Sequence, residues 1–133
     1  MTHRIYTDGG CRGNPGPAAA GIAILDSSKK EIYKSAIYLG QATNNIAEYS
    51  AVLEGMRAAR RLKIKDIEIY TDSQLVIRQL DGLYKVKSLP LKEIFITIKK
   101  LETKFSSVKY VHLKREHTQV PHNLAEEMLD NNP

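Results

Sequence analysis

Two aspartates stand at the ends of matching tetrapeptides. Ile5-Tyr6-Thr7-Asp8 occurs again as Ile69-Tyr70-Thr71-Asp72, and each copy is typical of a short β-strand that ends on a carboxylate. If the two strands lie side by side and parallel, both carboxylates leave the same end of the sheet. Neighbouring strands are roughly 4.8 Å apart, and carboxylates that close repel each other unless a positive charge lies between them. A divalent cation is the expected partner, since ligand sites in open α/β sheets lie at the carboxyl ends of strands.

A third acidic residue, Glu48, lies at the edge of an apolar helical stripe. The pattern predicts a helix from Thr43 to about Leu62, with one arc of apolar residues at Ile46, Tyr49, Val52, Leu53 and Met56. Glu48 is therefore half-turned towards the core, and its carboxylate can point at the same end of the sheet as the two aspartates. The alternative is a glutamate at the boundary of the core whose carboxylate lies in water.

The order of the other predicted strands and helices indicates where these acidic residues lie in the fold. A breaker-rich loop is expected from Gly9 to Pro17. A short turn makes the second and third strands antiparallel, and a strand–helix–strand crossover implies a parallel partner for the fourth strand. We expect strands at Ile5–Asp8, Ala18–Leu25, Glu31–Leu39, Asp66–Thr71 and Val108–Leu113, and further helices at Ser73–Leu80, from Leu89 or Pro90 to about Lys104, and from Pro121 to about Leu129.

Composition narrows the class of protein. The 133 residues suggest one domain over 1–133, and 42% apolar content is ordinary for a globular chain. The single cysteine, Cys11, excludes an internal disulfide framework and fits a reducing compartment. No apolar run is long enough to span a bilayer and no signal-type segment follows the N-terminus, so we expect a cytoplasmic protein without a membrane partner, with monomer as the default. The net charge of +5 weakly favours an acidic partner such as nucleic acid.

Five blocks taken together resemble the type 1 ribonuclease H family. They are Tyr6-Thr7-Asp8-Gly9-Gly10, Gly13-Asn14-Pro15-Gly16, Asn44-Asn45-Ile46-Ala47-Glu48-Tyr49, Thr71-Asp72-Ser73-Gln74 and Arg115-Glu116-His117. The resemblance implies an α/β fold: a five-stranded mixed sheet flanked by helices, with strands 1 to 3 antiparallel and strands 1 and 4 parallel. It also implies an endonuclease that binds RNA/DNA hybrids and hydrolyses the RNA strand, with Asp8, Glu48 and Asp72 holding two Mg²⁺ or Mn²⁺ ions, hard cations that prefer oxygen ligands.

One position departs from the family pattern. Members usually carry a fourth aspartate at the start of the last helix, and the residue that matches it here is His122. Three interpretations stay open. His122 could ligate a metal itself, which suits Mn²⁺ or Zn²⁺ better than Mg²⁺. Glu126, one turn along the helix, could reach in with its longer side chain. The site could instead be weakened by the lost charge, which would leave turnover severely reduced or absent.

The resemblance also assigns contacts with the substrate. Recognition of the RNA strand would fall to Cys11, Arg12, Gly13, Asn14, Asn44, Asn45 and Gln74, and amides suit a 2′-hydroxyl because both groups donate and accept hydrogen bonds. For Asn44 the alternative is a helix cap alone. Thr43 would touch a DNA-strand phosphate, and His117 would assist proton transfer or product release unless it is only a solvated loop residue. A non-catalytic module that binds a hybrid or duplex with the same fold is the alternative function.

Overall fold

Five strands and four helices make up the part of the chain that the computed structural model describes, residues 1–114 and 119–132. The strands are β1 (Thr2–Cys11), β2 (Gly16–Leu25), β3 (Glu31–Ala42), β4 (Asp66–Thr71) and β5 (Ser107–His112), and the helices are α1 (Asn44–Arg61), α2 (Gln74–Leu80), α3 (Leu89–Glu102) and α4 (Gln119–Asn131). They form one sheet in the order β3-β2-β1-β4-β5. The first three strands are antiparallel, and β4 pairs in parallel with both β1 and β5. The predicted five-stranded mixed sheet is confirmed.

The two matching tetrapeptides lie side by side in this sheet. Ile5 is opposite Ile69 and Tyr6 is opposite Tyr70 in the parallel β1–β4 ladder. The Tyr6 and Tyr70 rings stack with centroids 4.8 Å apart, as expected for residues on the same face of neighbouring strands. The strand ends that carry the two aspartates therefore lie next to each other, as the repeat predicts.

The predicted loop from Gly9 to Pro17 is wrong over most of its length. β1 continues through Gly9 to Cys11, where Cys11 pairs with Ala18 of β2. The actual loop is residues 12–15, closed by a 2.9 Å hydrogen bond from Arg12 N to Pro17 O. Gly9 and Gly10 continue the strand instead of breaking it, and Gly9 leaves room for a helix above it.

The other strand and helix ends differ from the predicted ones by smaller amounts. β3 extends to Ala42 rather than Leu39 because the early start of β2 gives it a partner in the ladder, with Gly16 opposite Ala42. β5 occupies Ser107–His112 rather than Val108–Leu113, α3 ends at Glu102, and α4 begins at Gln119, two residues before Pro121. None of these shifts changes the order of the elements or the direction of the strands.

Helices cover both faces of the sheet. The main apolar core lies between the strands and α1, α2 and α3, with Tyr49, Met56, Leu80 and Ile98 among its buried side chains. A smaller cluster on the opposite face joins Ala19 to Ala125 and Leu129 of α4. Both faces of β2 are buried for this reason, which follows the continuous apolar composition of that strand. None of the described helices is long and apolar enough to cross a membrane.

Candidate active site

Gly9 brings α1 against the end of β1 and so positions Glu48 beside Asp8. A Cβ atom at Gly9 would lie 2.1 Å from the carbonyl oxygen of Ala47 and 2.5 Å from the backbone nitrogen of Glu48. The helix can approach this closely only because residue 9 has no side chain. Asp8, the preceding residue, is 4% exposed, and Glu48 is half-buried. Two of the predicted acidic residues are therefore adjacent, and Glu48 is not turned out into solvent.

Asp72 lies at the same end of the sheet. It is two residues beyond Tyr70, just as Asp8 is two residues beyond Tyr6, and those tyrosines are paired in the ladder. Ser73 then caps α2, its hydroxyl accepting a 3.3 Å hydrogen bond from Val76 N. The end of β5 supports this turn, since His112 Nε2 lies 3.2 Å from the backbone oxygen of Asp72. Sequence reasoning missed His112, although its place at the end of the strand beside β4 was a usable signal.

His122 reaches the same place from α4. Its Nδ1 lies 2.9 Å from Oδ2 of Asp8, and the two side chains are 23% and 3% exposed. Gly21 allows the start of α4 to lie close on β2, because a Cβ there would be 1.9 Å from the carbonyl oxygen of Pro121. His122 is thus in direct contact with Asp8, the first of the predicted acidic residues.

Asn44 orients the glutamate rather than capping the helix. Its Nδ2 donates a 2.7 Å hydrogen bond to Oε1 of Glu48, and its backbone nitrogen donates to Oδ1 of Asn14 at 3.1 Å. Thr43 is the N-cap of α1, with its hydroxyl accepting from Ile46 N at 3.2 Å. The interpretation of Asn44 as a helix cap alone is therefore wrong, and the loop residue Asn14 is linked to the acidic residues through it.

The other predicted contact residues lie around this centre. Cys11 is half-buried, and burial raises the pKa of its thiol, which keeps the sulfur protonated at neutral pH. Gly13, Asn45 and Gln74 are exposed, and Gln74 begins α2 two residues after Asp72. His117 lies outside the described residues.

Arg12 is exposed but engaged with the last helix. Its Nη2 atom lies 3.4 Å from Oε2 of Glu126 and is also hydrogen-bonded to Asp130. Sequence reasoning gave no indication of these contacts, which join a loop between two strands to α4.

A small cavity of about 150 Å³ opens beside the acidic residues. Its lining includes Asp8, Gly10, Asn44, His122 and Glu126. A larger cavity of about 550 Å³ lies over Tyr6 and Tyr70 and is lined by neither Asp8, Glu48 nor Asp72. Of the predicted metal ligands, Asp8 and His122 line the small cavity, whereas Glu48 and Asp72 line neither cavity.

The carboxylate oxygens at this site suit a hard divalent cation, although the described side chains do not form a metal-binding cluster as they stand. Oδ1 of Asp8 and Oε2 of Glu48 are buried carboxylate oxygens, and carboxylates are the ligands that Mg²⁺ and Mn²⁺ prefer. Within residues 1–114 and 119–132, no group of three or more His, Cys, Asp or Glu side chains could hold a metal ion as they stand.

This sheet order, with acidic residues at the shared end of β1 and β4, defines a ribonuclease H-like α/β protein. Residues 6–128 match the family model described as reverse transcriptase-like. Ribonuclease HI of Halobacterium salinarum is 36% identical over 125 residues, which are 94% of this chain and 63% of that protein. The crystal structure of RNase H1 from the same archaeon superposes with a TM-score of 0.96 and 34% identity, over 98% of this chain and 99% of that one.

Two further relatives are similar to nearly the whole of this chain. LC11-RNase H1, solved in complex with an RNA/DNA hybrid, has a TM-score of 0.93 and 37% identity over 98% of both chains. A bifunctional protein of Mycobacterium tuberculosis, Rv2228c, is 32% identical over 127 residues, which are 95% of this chain but 35% of that protein. The chain thus spans between about a third and two thirds of these curated relatives. It belongs to the reverse transcriptase-like family and, within it, to the type 1 ribonucleases H.

Proposed function

We propose that this chain is a ribonuclease H that binds RNA/DNA hybrids and hydrolyses the RNA strand. The observation that carries the proposal is the placement of Asp8 and Asp72 at one end of the sheet, with Glu48 brought beside Asp8 by the packing of α1 on Gly9. Membership of the type 1 ribonuclease H family supports it, as does a relative of similar length whose structure contains the hybrid.

Asp8, Glu48 and Asp72 would hold the Mg²⁺ or Mn²⁺ ions. A bound pair of such ions would supply an activated water and stabilise the charge on the leaving oxygen. The chain's own residues prepare the site. Asn44 fixes one oxygen of Glu48, and His112 fixes the backbone at Asp72. Burial of Asp8 excludes water from its carboxylate and so strengthens its attraction for positive charge.

Amide side chains beside the acidic residues would distinguish RNA from DNA. Asn14 and Asn44 are joined to each other, and exposed Gln74 opens α2 next to Asp72. An amide can donate to and accept from a 2′-hydroxyl at once, which a DNA strand lacks. Cys11, Gly13 and Asn45 would add contacts around the same strand, and Thr43 would lie towards a phosphate of the DNA strand.

A second candidate function is binding of the hybrid without turnover. The contact between His122 and Asp8 favours it, since an imidazole occupies one oxygen of the carboxylate that the ions need most. The position also contributes no negative charge, so the affinity for cations is lower than with a fourth carboxylate.

Cleavage and binding are measured separately to test the proposal. The wild-type chain, Asp8→Asn and Asp72→Asn are incubated with end-labelled RNA/DNA hybrid, RNA duplex and DNA duplex in Mg²⁺ or Mn²⁺, and binding is followed by fluorescence anisotropy. We expect cleavage of the RNA strand of the hybrid alone, reduced at least about 100-fold in either aspartate variant. Glu93→Gln, which neutralises an exposed carboxylate on α3, should cleave normally. Hybrid binding without cleavage would support the second candidate, and neither binding nor cleavage would contradict both.

A further inference from the structure

Helix α4 carries an acidic residue, Glu126, that lines the cavity beside Asp8. Glu126 follows His122 by one helical turn, and residues four apart lie on the same side of a helix. Both residues line the cavity that Asp8 also lines. The neighbouring carboxylate Glu127 is exposed and does not line that cavity, so the two adjacent glutamates differ in the surface that they face.

Arg12 holds Glu126 at the rim of this cavity. The guanidinium lies 3.4 Å from Glu126 Oε2 and also contacts Asp130, one further turn along α4. All three side chains are substantially exposed, at 44%, 50% and 66%. Exposed ion pairs contribute little free energy and exchange partners readily. A phosphate group offers the same bidentate partner to an arginine, so it can displace Glu126 from Arg12.

We infer that Glu126 supplies to the cation site the carboxylate that α4 lacks at position 122, and that Arg12 restrains Glu126 until the guanidinium is taken by a phosphate. The inference rests on the proposed function. Glu126 lines the same cavity as Asp8, and a glutamate carries its carboxylate one methylene further from the helix backbone than an aspartate does. The ligand is a divalent cation with a preference for oxygen donors. The same exchange would couple occupation of the site to the arrival of a nucleic-acid backbone.

Titration of Mn²⁺ by calorimetry, without nucleic acid, tests the inference on variants that separate the two glutamates. We expect Glu126→Gln to weaken Mn²⁺ binding at least about 10-fold. Glu127→Gln removes the same charge from the same helix and should change the affinity by less than about twofold. Asp130→Asn removes the other partner of Arg12 and should not weaken binding either. Equal losses in Glu126→Gln and either control would overturn the inference, since the effect would then come from overall charge or from Arg12.

Removal of Arg12, which restrains Glu126, should change the Mn²⁺ affinity in the opposite direction. Arg12→Ala frees Glu126, so Mn²⁺ should bind more tightly than in the wild type. That gain should disappear in Arg12→Ala/Glu126→Gln and persist in Arg12→Ala/Asp130→Asn. A gain that survives loss of Glu126 would overturn the inference, because removal of a positive charge alone would explain it.

Failure of this inference can be told from failure of the proposed function. Hybrid cleavage by the wild type, with Mn²⁺ affinity that does not depend on Glu126, would contradict the inference and leave the function standing. Mn²⁺ affinity that depends on Glu126, in a chain that cleaves no hybrid, would support the inference and contradict the nuclease. No measurable Mn²⁺ binding in the wild type would overturn both.

Discussion

His122 places an imidazole at the proposed cation site. The side chain is not displaced outwards but lies 2.9 Å from Asp8, a buried residue of β1. A neutral imidazole offers one nitrogen and no charge, whereas a carboxylate offers two oxygens and a full negative charge. A histidine instead of an aspartate at position 122 therefore changes both the charge of the proposed cation site and the partner that Asp8 has when no cation is bound.

An aspartate at position 122 should raise the turnover of RNA/DNA hybrid. We expect His122→Asp to increase kcat/KM for RNA/DNA hybrid in Mg²⁺ at least about 10-fold, by returning negative charge to the cation site. The same change places a carboxylate beside Asp8, so the melting temperature without divalent ions should fall and should recover when Mg²⁺ is added. Initial rates and thermal unfolding measure the two effects. His122→Asn, which removes the imidazole without adding charge, should show no gain, and a slower His122→Asp in both Mg²⁺ and Mn²⁺ would contradict the prediction.

Thr43 and Asn44 are neighbours with separate roles, which substitution should reveal. Thr43 caps α1, so Thr43→Ala should lower the free energy of unfolding by about 1 kcal/mol. Asn44 instead directs Glu48 through a 2.7 Å hydrogen bond, so Asn44→Ala should reduce hybrid cleavage with a smaller loss of stability. Urea unfolding and cleavage rates on the two variants distinguish these effects. If both variants lost stability and activity in proportion, the assignment of Asn44 to Glu48 would be wrong.

Gly9 shows how packing between elements departs from what local sequence signals indicate. The paired tetrapeptides favour two neighbouring parallel strands, and the β1–β4 ladder confirms that pairing. The glycines after Asp8 were assigned to a loop by their local conformational freedom. Their actual role depends on α1, whose backbone comes within 2.1 Å of where a Gly9 side chain would begin, and that contact is not encoded by nearby residues.

Neighbouring glycines in β1 provide a matched test of this packing. Gly9→Ala should lower the free energy of unfolding by about 1–3 kcal/mol, because the added methyl must push α1 away. Gly10→Ala should stay within about 0.5 kcal/mol of the wild type, since the nearest atom to its Cβ would be Asn44 Oδ1 at 3.9 Å. Chemical denaturation of both variants measures the difference. Equal stabilities would mean that α1 shifts without cost. Gly9→Ala should also reduce hybrid cleavage, because it moves Glu48 away from Asp8.

The contact of Arg12 with α4 could not have been predicted from local patterns. Arg12 and Asp130 are 118 residues apart, and they meet only because α4 packs across β2 and β1. The family resemblance predicts a role for Arg12 in recognition of the RNA strand, which its exposure on the loop still permits. The two aspartates are easier to foresee, because strand periodicity and the repeated tetrapeptide place them alike on their strands. Periodicity leaves Glu48 open, and only the family resemblance assigns it to the site.

Two buried tyrosines and one half-buried tyrosine, in different elements, link the stability of the molecule to alkaline pH. Burial raises the pKa of Tyr49, whose hydroxyl donates to Gln79, and the pKa of Tyr110, whose hydroxyl donates to Glu102. Burial also raises the pKa of Tyr70 to about 12, helped by its hydrogen bond to Glu68. An unfolded tyrosine has a pKa of about 10. Between these values the unfolded chain loses protons that the folded chain keeps, and the folded state is then favoured less.

Stability should therefore be fully present below about pH 10 and fall as the pH rises towards about 12. Urea unfolding followed by circular dichroism at half-unit steps from pH 8.5 measures the slope. In Tyr70→Phe the ring that stacks on Tyr6 is retained but cannot ionise, so its stability should fall less steeply than that of the wild type over this range. Tyr38→Phe, at a 42% exposed position on β3, should follow the wild-type slope. Lysines titrate in the same range in every variant, so the difference between curves isolates Tyr70, and parallel curves for wild type and Tyr70→Phe would contradict the coupling.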